Sequence, residues 1–149
     1  MDILILSLSH PILVGVYKDN KLIETYEKEG KSSDIIPIIF HQILKKYEVQ
    51  RLFFVNAPGS YMAIKVAYVF LKSVSIVKNI ELYATSGFHF NENSPIKALG
   101  KKYFLNDNGN IKIDFIDENL KLESFKLPEI LDENIFSNDN LPQYNLPAV

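Results

Sequence analysis

The order of strand-type and helix-type segments constrains this chain more than any other feature. Ile3 to Leu8 is an apolar run of strand length, as expected of a strand covered on both faces. His10-Pro11 punctuates it, because a residue before proline is pushed out of the helical region. Ile12 to Tyr17 and Leu22 to Glu27 are two further β-type runs, separated by the polar Lys18-Asp19-Asn20-Lys21; this pattern reads as a hairpin. Apolar residues then recur at Ile36, Ile39, Phe40, Ile43, Leu44 and Tyr47, with Ile35 and Ile38 beside them, which is helical spacing. Ser32, Ser33 or Asp34 is the expected cap, with Pro37 in the first turn, where its missing N–H removes no helical bond. Val49 to Asn56 predicts a strand, Ala57-Pro58-Gly59-Ser60 a sharp turn, Tyr61 to Val74 a second helix, and Ile80 to Tyr83 another strand.

An antiparallel meander that continues into strand–helix–strand crossovers builds a mixed sheet with helices packed on it. The expected class is therefore α/β: a half-domain of the actin-like ATPase (ribonuclease-H-like) kind, opened by three antiparallel strands and carrying two packed helices. This lobe is expected over residues 1–90, followed at 91–149 by a reduced second lobe and an extended acidic tail. Within the second part, Lys101 to Leu105 and Ile111 to Ile116 read as strands joined by Asn106-Asp107-Asn108-Gly109-Asn110, whose Asn-Gly step suits a turn with positive φ. From Asp117 onward there are seven acidic and two basic side chains, a balance of −5 within a total of −2. The tail holds Pro128, Pro142 and Pro147 and has no regular period. It is expected to lie over the domain as a strap, with Ile130, Leu131, Ile135 and Phe136 as contacts.

The 149 residues contain no cysteine, which excludes a disulfide framework, a thiol nucleophile and Cys-ligated metal. The net charge gives no general attraction to nucleic acid. The longest apolar stretch, Val66 to Leu71, is bounded by Lys65 and Lys72, whereas a spanning helix needs about 20 apolar residues. The apolar start lacks a basic leader. The expectation is a cytoplasmic chain without membrane contact.

Residues able to carry chemistry are few. His10, His41 and His89 are scattered, with no partner at metal-ligand spacing. Asp114, Asp117 and Glu118 read as solvated charge, and Ser60 lacks the Gly-x-Ser-x-Gly frame of a nucleophile elbow. Pro58, Gly59 and Ser60 form a strand-to-helix elbow whose helix N–H groups are a possible anion site, although no P-loop sequence follows. No catalytic or metal-binding residue is assigned. The second helix is the larger clue, since apolar side chains cover most of its circumference where a surface helix shows one stripe. Two such helices side by side are expected to form a partner interface through Ile36, Ile39, Phe40, Ile43, Tyr61, Ile64, Lys65, Tyr68, Val69, Leu71 and Lys72.

Ala57-Pro58-Gly59-Ser60-Tyr61-Met62-Ala63-Ile64-Lys65-Val66 resembles the pattern Gly-Pro-Gly-Ser-Phe-Thr-Gly-(Val/Leu)-Arg-(Ile/Val) of the TsaB (YeaZ) family. Ile3-Leu4-Ile5-Leu6-Ser7-Leu8-Ser9 is similar to that family's opening Ile-Leu-Ala-Ile-Asp-Thr-Ser. Leu141-Pro142-Gln143-Tyr144-Asn145-Leu146 is similar to the Pro-x-Tyr-Leu-Arg ending of longer members. The resemblance implies a non-catalytic scaffold that pairs with the paralogous catalytic subunit TsaD, largely through a helix bundle. With the ATPase TsaE, that pair transfers threonylcarbamoyl to an adenosine beside the tRNA anticodon. It implies that tRNA is met only through the complex, that ATP and metal belong to partner subunits, and that no cofactor is bound by this chain. Ser7 and Leu8 replace the family's Asp and Thr, Lys31-Ser32-Ser33-Asp34 stands for His-Thr-Gln-Arg, and Ala57, Met62 and Ala63 replace Gly, Thr and Gly. Competing expectations are a small hydrolase or peptidase of the same superfamily using Ser60 or nearby acids, and a homodimer formed through the same helices.

Overall fold

The computed structural model describes residues 1–144. Its main body is a five-stranded sheet built from β1 (Asp2–Leu6), β2 (Ile12–Lys18), β3 (Lys21–Lys28), β4 (Arg51–Ala57) and β5 (Glu81–Ser86). The strand order is β3-β2-β1-β4-β5. The first three strands pair antiparallel, and β1–β4 and β4–β5 pair parallel. Helices α1 (Ser32–Lys46) and α2 (Tyr61–Lys78) supply the connections into β4 and β5. The architecture is thus the mixed α/β lobe that the segment order predicts.

Burial follows the strand period of two. Ile3, Ile5, Val14, Val16, Leu52 and Phe54 pack under the helices against Ile36, Ile39, Phe40, Ile43, Ala67 and Leu71. Leu4, Leu6, Tyr17, Phe53 and Val55 point to the opposite face. A sheet with parallel strands at its centre requires cover on both faces, and among the described residues no α-helix lies on the second one. The tail covers it instead. Leu131 is buried there, with Leu127, Ile135 and Phe136 packed beside it.

The strap crosses the sheet from one edge to the other. At β3, Leu22 N–H donates to Glu129 C=O (2.9 Å). At β5, Ala84 and Ser137 exchange backbone hydrogen bonds of 2.9 Å each. Between them the Tyr17 hydroxyl donates to Pro128 C=O (2.7 Å) and Thr85 Oγ1 to Ile135 C=O (2.6 Å). Arg51 bridges Asp2 of β1 and Glu133 of the tail, both at 2.5 Å. Ile130, expected as a contact, is exposed. Leu131 of the tail thus belongs to the core on this face of the sheet.

The rest of the second part is a three-stranded sheet, β6 (Ile96–Lys97), β7 (Tyr103–Asp107) and β8 (Asn110–Asp114), in the order β6-β7-β8. Phe104 anchors it against Phe88 and Ile96. Asn108 and Gly109, at φ 51° and 91°, form its hairpin turn, where the Asn-Gly step requires one.

Two local expectations for α1 fail. Lys31 is the N-cap residue, and no side chain caps the helix. The helix starts at Ser32, so Pro37 lies in the second turn and removes the bond its N–H would make to Ser33 C=O. Ser33 is exposed, so water can take that carbonyl. Helix α2 runs one turn beyond Val74 and ends at Asn79 in the left-handed region, φ 54°, a regular helix stop. Asn145, Leu146 and Pro147 of the expected ending lie outside the described residues.

Candidate partner-binding groove

The two helices lie side by side on one face of the sheet, and α2 is apolar on two separate stripes. Ile64, Ala67, Leu71 and Ser75 face inward and are buried. Met62, Val66, Val69, Phe70, Val74 and Val77 form the second stripe. They line a groove of about 620 Å³ with Pro37 and Leu44 of α1. Ser32, Ser33, Ser73, Lys65 and Lys78 supply its polar lining. Val69 is 54% exposed and Val77 80%. Phe70 of the groove wall packs edge-on against the buried Phe40 of α1, ring centroids 5.4 Å apart.

This placement corrects the expected interface. Ile36, Ile39, Phe40, Ile43, Ile64 and Leu71 are core residues, each at most 2% exposed, and no partner can touch them. Tyr61 and Tyr68 are half-buried; Tyr61 stacks on Tyr144 of the tail at 4.4 Å. Lys72 is half-buried and lies outside the groove lining. Lys65 and Val69 do line the groove. The error has a physical source: when a helix carries two apolar stripes, spacing alone does not say which one meets the sheet. The second period through residues 62, 66, 69, 70, 74 and 77 was the available signal.

The elbow at Pro58, Gly59 and Ser60 is built for close packing. A Cβ on Gly59 would lie 2.6 Å from Leu8 Cδ2, so Leu8 and Gly59 occupy each other's space. Ser60 takes the N-cap position, yet its hydroxyl makes no cap bond; its C=O accepts the first helical bond, from Ile64 N–H (3.1 Å). Lys65 holds its Nζ 5.7 Å from the Tyr61 ring centroid. Among the described residues no hydrogen bond joins the Ser60 hydroxyl to a histidine or a carboxylate. Nor do the described residues gather three His, Asp or Glu side chains into a metal-binding group. Ser7 is buried just past β1 and is followed by apolar Leu8. This turn offers no carboxylate oxygen of the kind that holds magnesium.

A cluster of charged and phenolic groups lies at the C-terminal end of α1. Glu24 of β3 accepts from the Tyr47 hydroxyl, from Lys46 Nζ (3.0 Å) and from the Tyr26 hydroxyl (3.2 Å). The Tyr47 and Lys46 hydrogen bonds hold its carboxyl below the ordinary glutamate value. This cluster ties helix to sheet edge. Burial pushes the Tyr17 phenol well above its usual value, which keeps its proton available for Pro128.

Comparison with solved structures places this geometry. The fold is that of YeaZ. YeaZ from Pseudomonas aeruginosa superposes with a TM-score of 0.60 at 9% sequence identity, over 76% of this chain and 63% of that one. A second structure, an uncharacterized protein with similarity to peptidase YeaZ from Pseudomonas aeruginosa, gives a TM-score of 0.54 at 9% identity, over 76% and 62%. The match thus spans about three-fifths of the length of each. No protein-family model matches the sequence, and no curated protein matches it. Among the described residues no helix is long and apolar enough to cross a membrane.

Proposed function

We propose that this chain is a non-catalytic scaffold of the TsaB (YeaZ) type, which uses the α1–α2 groove to hold the catalytic subunit TsaD for threonylcarbamoyladenosine modification of tRNA. The observation that carries this reading is the second apolar stripe of α2, left open on a lobe whose fold is that of YeaZ. Contiguous apolar surface of this kind is characteristic of a protein-binding site. A partner contributing a matching helix pair would bury on the order of 1,600 Å² in total. TsaE joins through the assembled pair, tRNA is met through the complex, and the chain acts in the cytoplasm. ATP and its metal are assigned to the partner subunits, in keeping with the apolar Leu8 that follows Ser7 beyond β1.

Titration calorimetry with purified TsaD tests the reading. Val69→Asp and Val77→Asp each place a charge in the groove without touching the core. Each is expected to weaken binding by roughly thirtyfold or more, the range of interface hot spots, with the circular dichroism melt unchanged. Unaltered affinity in both variants would remove the groove from the interface. Stoichiometric binding of magnesium-ATP to the isolated chain would instead favour the hydrolase reading.

A further inference from the structure

The outer strand of the small sheet carries a second interaction surface, distinct from the helix groove. Strand β8 is the edge of its sheet and is exposed along its whole length. Among the described residues nothing but β7 pairs with it. Ile111 and Ile113 of the strand and Phe115 just past it are exposed and alternate with Lys112 and Asp114. Open apolar edges recruit another strand, and proteins ordinarily blunt them with charge.

The phase of the hairpin sets which groups face outward. Its two-residue turn closes on the pair Asp107–Asn110, and Leu105–Lys112 and Tyr103–Asp114 lie two and four residues further on. In an antiparallel ladder these alternate pairs exchange hydrogen bonds with each other, and the residues between them turn N–H and C=O to the other side. Ile111 and Ile113 therefore turn open N–H and C=O groups to the edge, and Phe115, just past the strand, turns only its C=O there. The Phe115 N–H meanwhile meets Asp114 Oδ1 at 2.7 Å.

We infer that β8 pairs antiparallel with β8 of a second copy of this chain, in the register that sets Ile113 opposite Ile113 across a two-fold axis. That register places Ile111 opposite Phe115 and Lys112 opposite Asp114, each twice by symmetry. It joins open edge to open edge in hydrogen-bonding phase, apolar to apolar on one face and opposite charges on the other. A shift centred on Lys112 would set lysine against lysine, and a one-residue slip would lose the hydrogen-bonding phase. Lys112 also lies 3.3 Å from its own Asp107, so pairing would extend an existing charge row. The contact is isologous and closes as a dimer, and it leaves the α1–α2 groove free.

Sedimentation equilibrium of the full chain, followed by paired charge variants, tests this. The wild type is expected to dimerise as concentration rises. Lys112→Glu alone and Asp114→Lys alone each create like-charge pairs across the axis, and each should weaken the dimer by about tenfold. An equimolar mixture of these two variants should regain dimer, because each chain then supplies the charge the other lacks. Ile113→Pro removes an outward N–H without touching the β7 ladder and should leave a folded monomer; the charge variants decide the matter if it misfolds. A wild type that stays monomeric, a dimer that survives both single variants, a mixture that does not re-associate, or a dimer abolished by Val69→Asp instead would overturn the proposal.

Discussion

The two faces of the central sheet are covered by different means. One is roofed by α1 and α2, whose outer surface is again apolar. The other is crossed by an irregular strap, residues 128–137, whose outward side chains are mostly polar, Asp132, Glu133 and Asn134 among them, with Ile130 a single exposed apolar one. The strap therefore finishes its face of the molecule, whereas the helices leave theirs open. The chain uses its tail where no α-helix lies, and the described part of the tail, to Tyr144, does not line the groove. An apolar helix surface on this lobe is a consequence of where the covering material goes.

This contrast can be broken by charge. Ile64→Asp places a carboxylate in a fully buried site and should unfold the domain, since an unpaired buried charge costs several kcal/mol or forces neutralisation. Val69→Asp, five residues along the same helix, should shift stability by no more than about 0.5 kcal/mol. Urea denaturation of the two variants measures the difference directly. Equal losses would mean that the second stripe is not open.

The strap face is tested by neighbouring residues of β4. Phe54 packs under the helices and Phe53 under the tail, where it meets Tyr83 and Phe136 at ring-centroid distances of 5.3 and 4.6 Å. Phe54→Ala and Phe53→Ala should each cost about 3–5 kcal/mol in denaturant melts. A cost below about 1 kcal/mol for Phe53 alone would demote the strap from core to loose cover.

Smaller effects sharpen the same picture. Tyr17→Phe deletes the hydroxyl that holds Pro128 and should cost about 1 kcal/mol, with amide exchange in the strap faster than in α2. Glu24→Gln should cost stability near neutral pH and none in strong acid. Because the Glu24 carboxyl is held below its ordinary value, its contribution is present above the unfolded glutamate value of about 4.3. That contribution is lost as pH falls through the lower folded value. Thermal melts of wild type and variant should therefore converge at low pH and separate near neutrality.

The legible part of the molecule was the part governed by local periods. The three opening strands, both helices and the Asn108-Gly109 hairpin each carry their own signal in spacing or turn chemistry. The strap was legible as a strap because Leu131, Ile135 and Phe136 are apolar residues in an acidic, proline-bearing segment. Its course across the sheet was not, since it rests on backbone bonds to Leu22 and Ala84 far away in sequence. The interface was half legible. An all-round apolar α2 announced a second contact surface, but Ile64 and Leu71 looked no different from Val69 until the sheet chose one side. Lys31 as the N-cap residue, with no capping side chain, had no sequence signal at all.

The claim that the outer stripe of α2 is the working surface is tested most directly at Met62, which is exposed beside the groove while the only other methionine is Met1. Peroxide oxidation of Met62, followed by mass spectrometry with and without bound TsaD, reads its access to solvent. Rapid oxidation in the free chain and strong protection in the complex is the expected result, with Met1 as the internal reference. Oxidation of Met62 at an unchanged rate in a fully formed complex would contradict it.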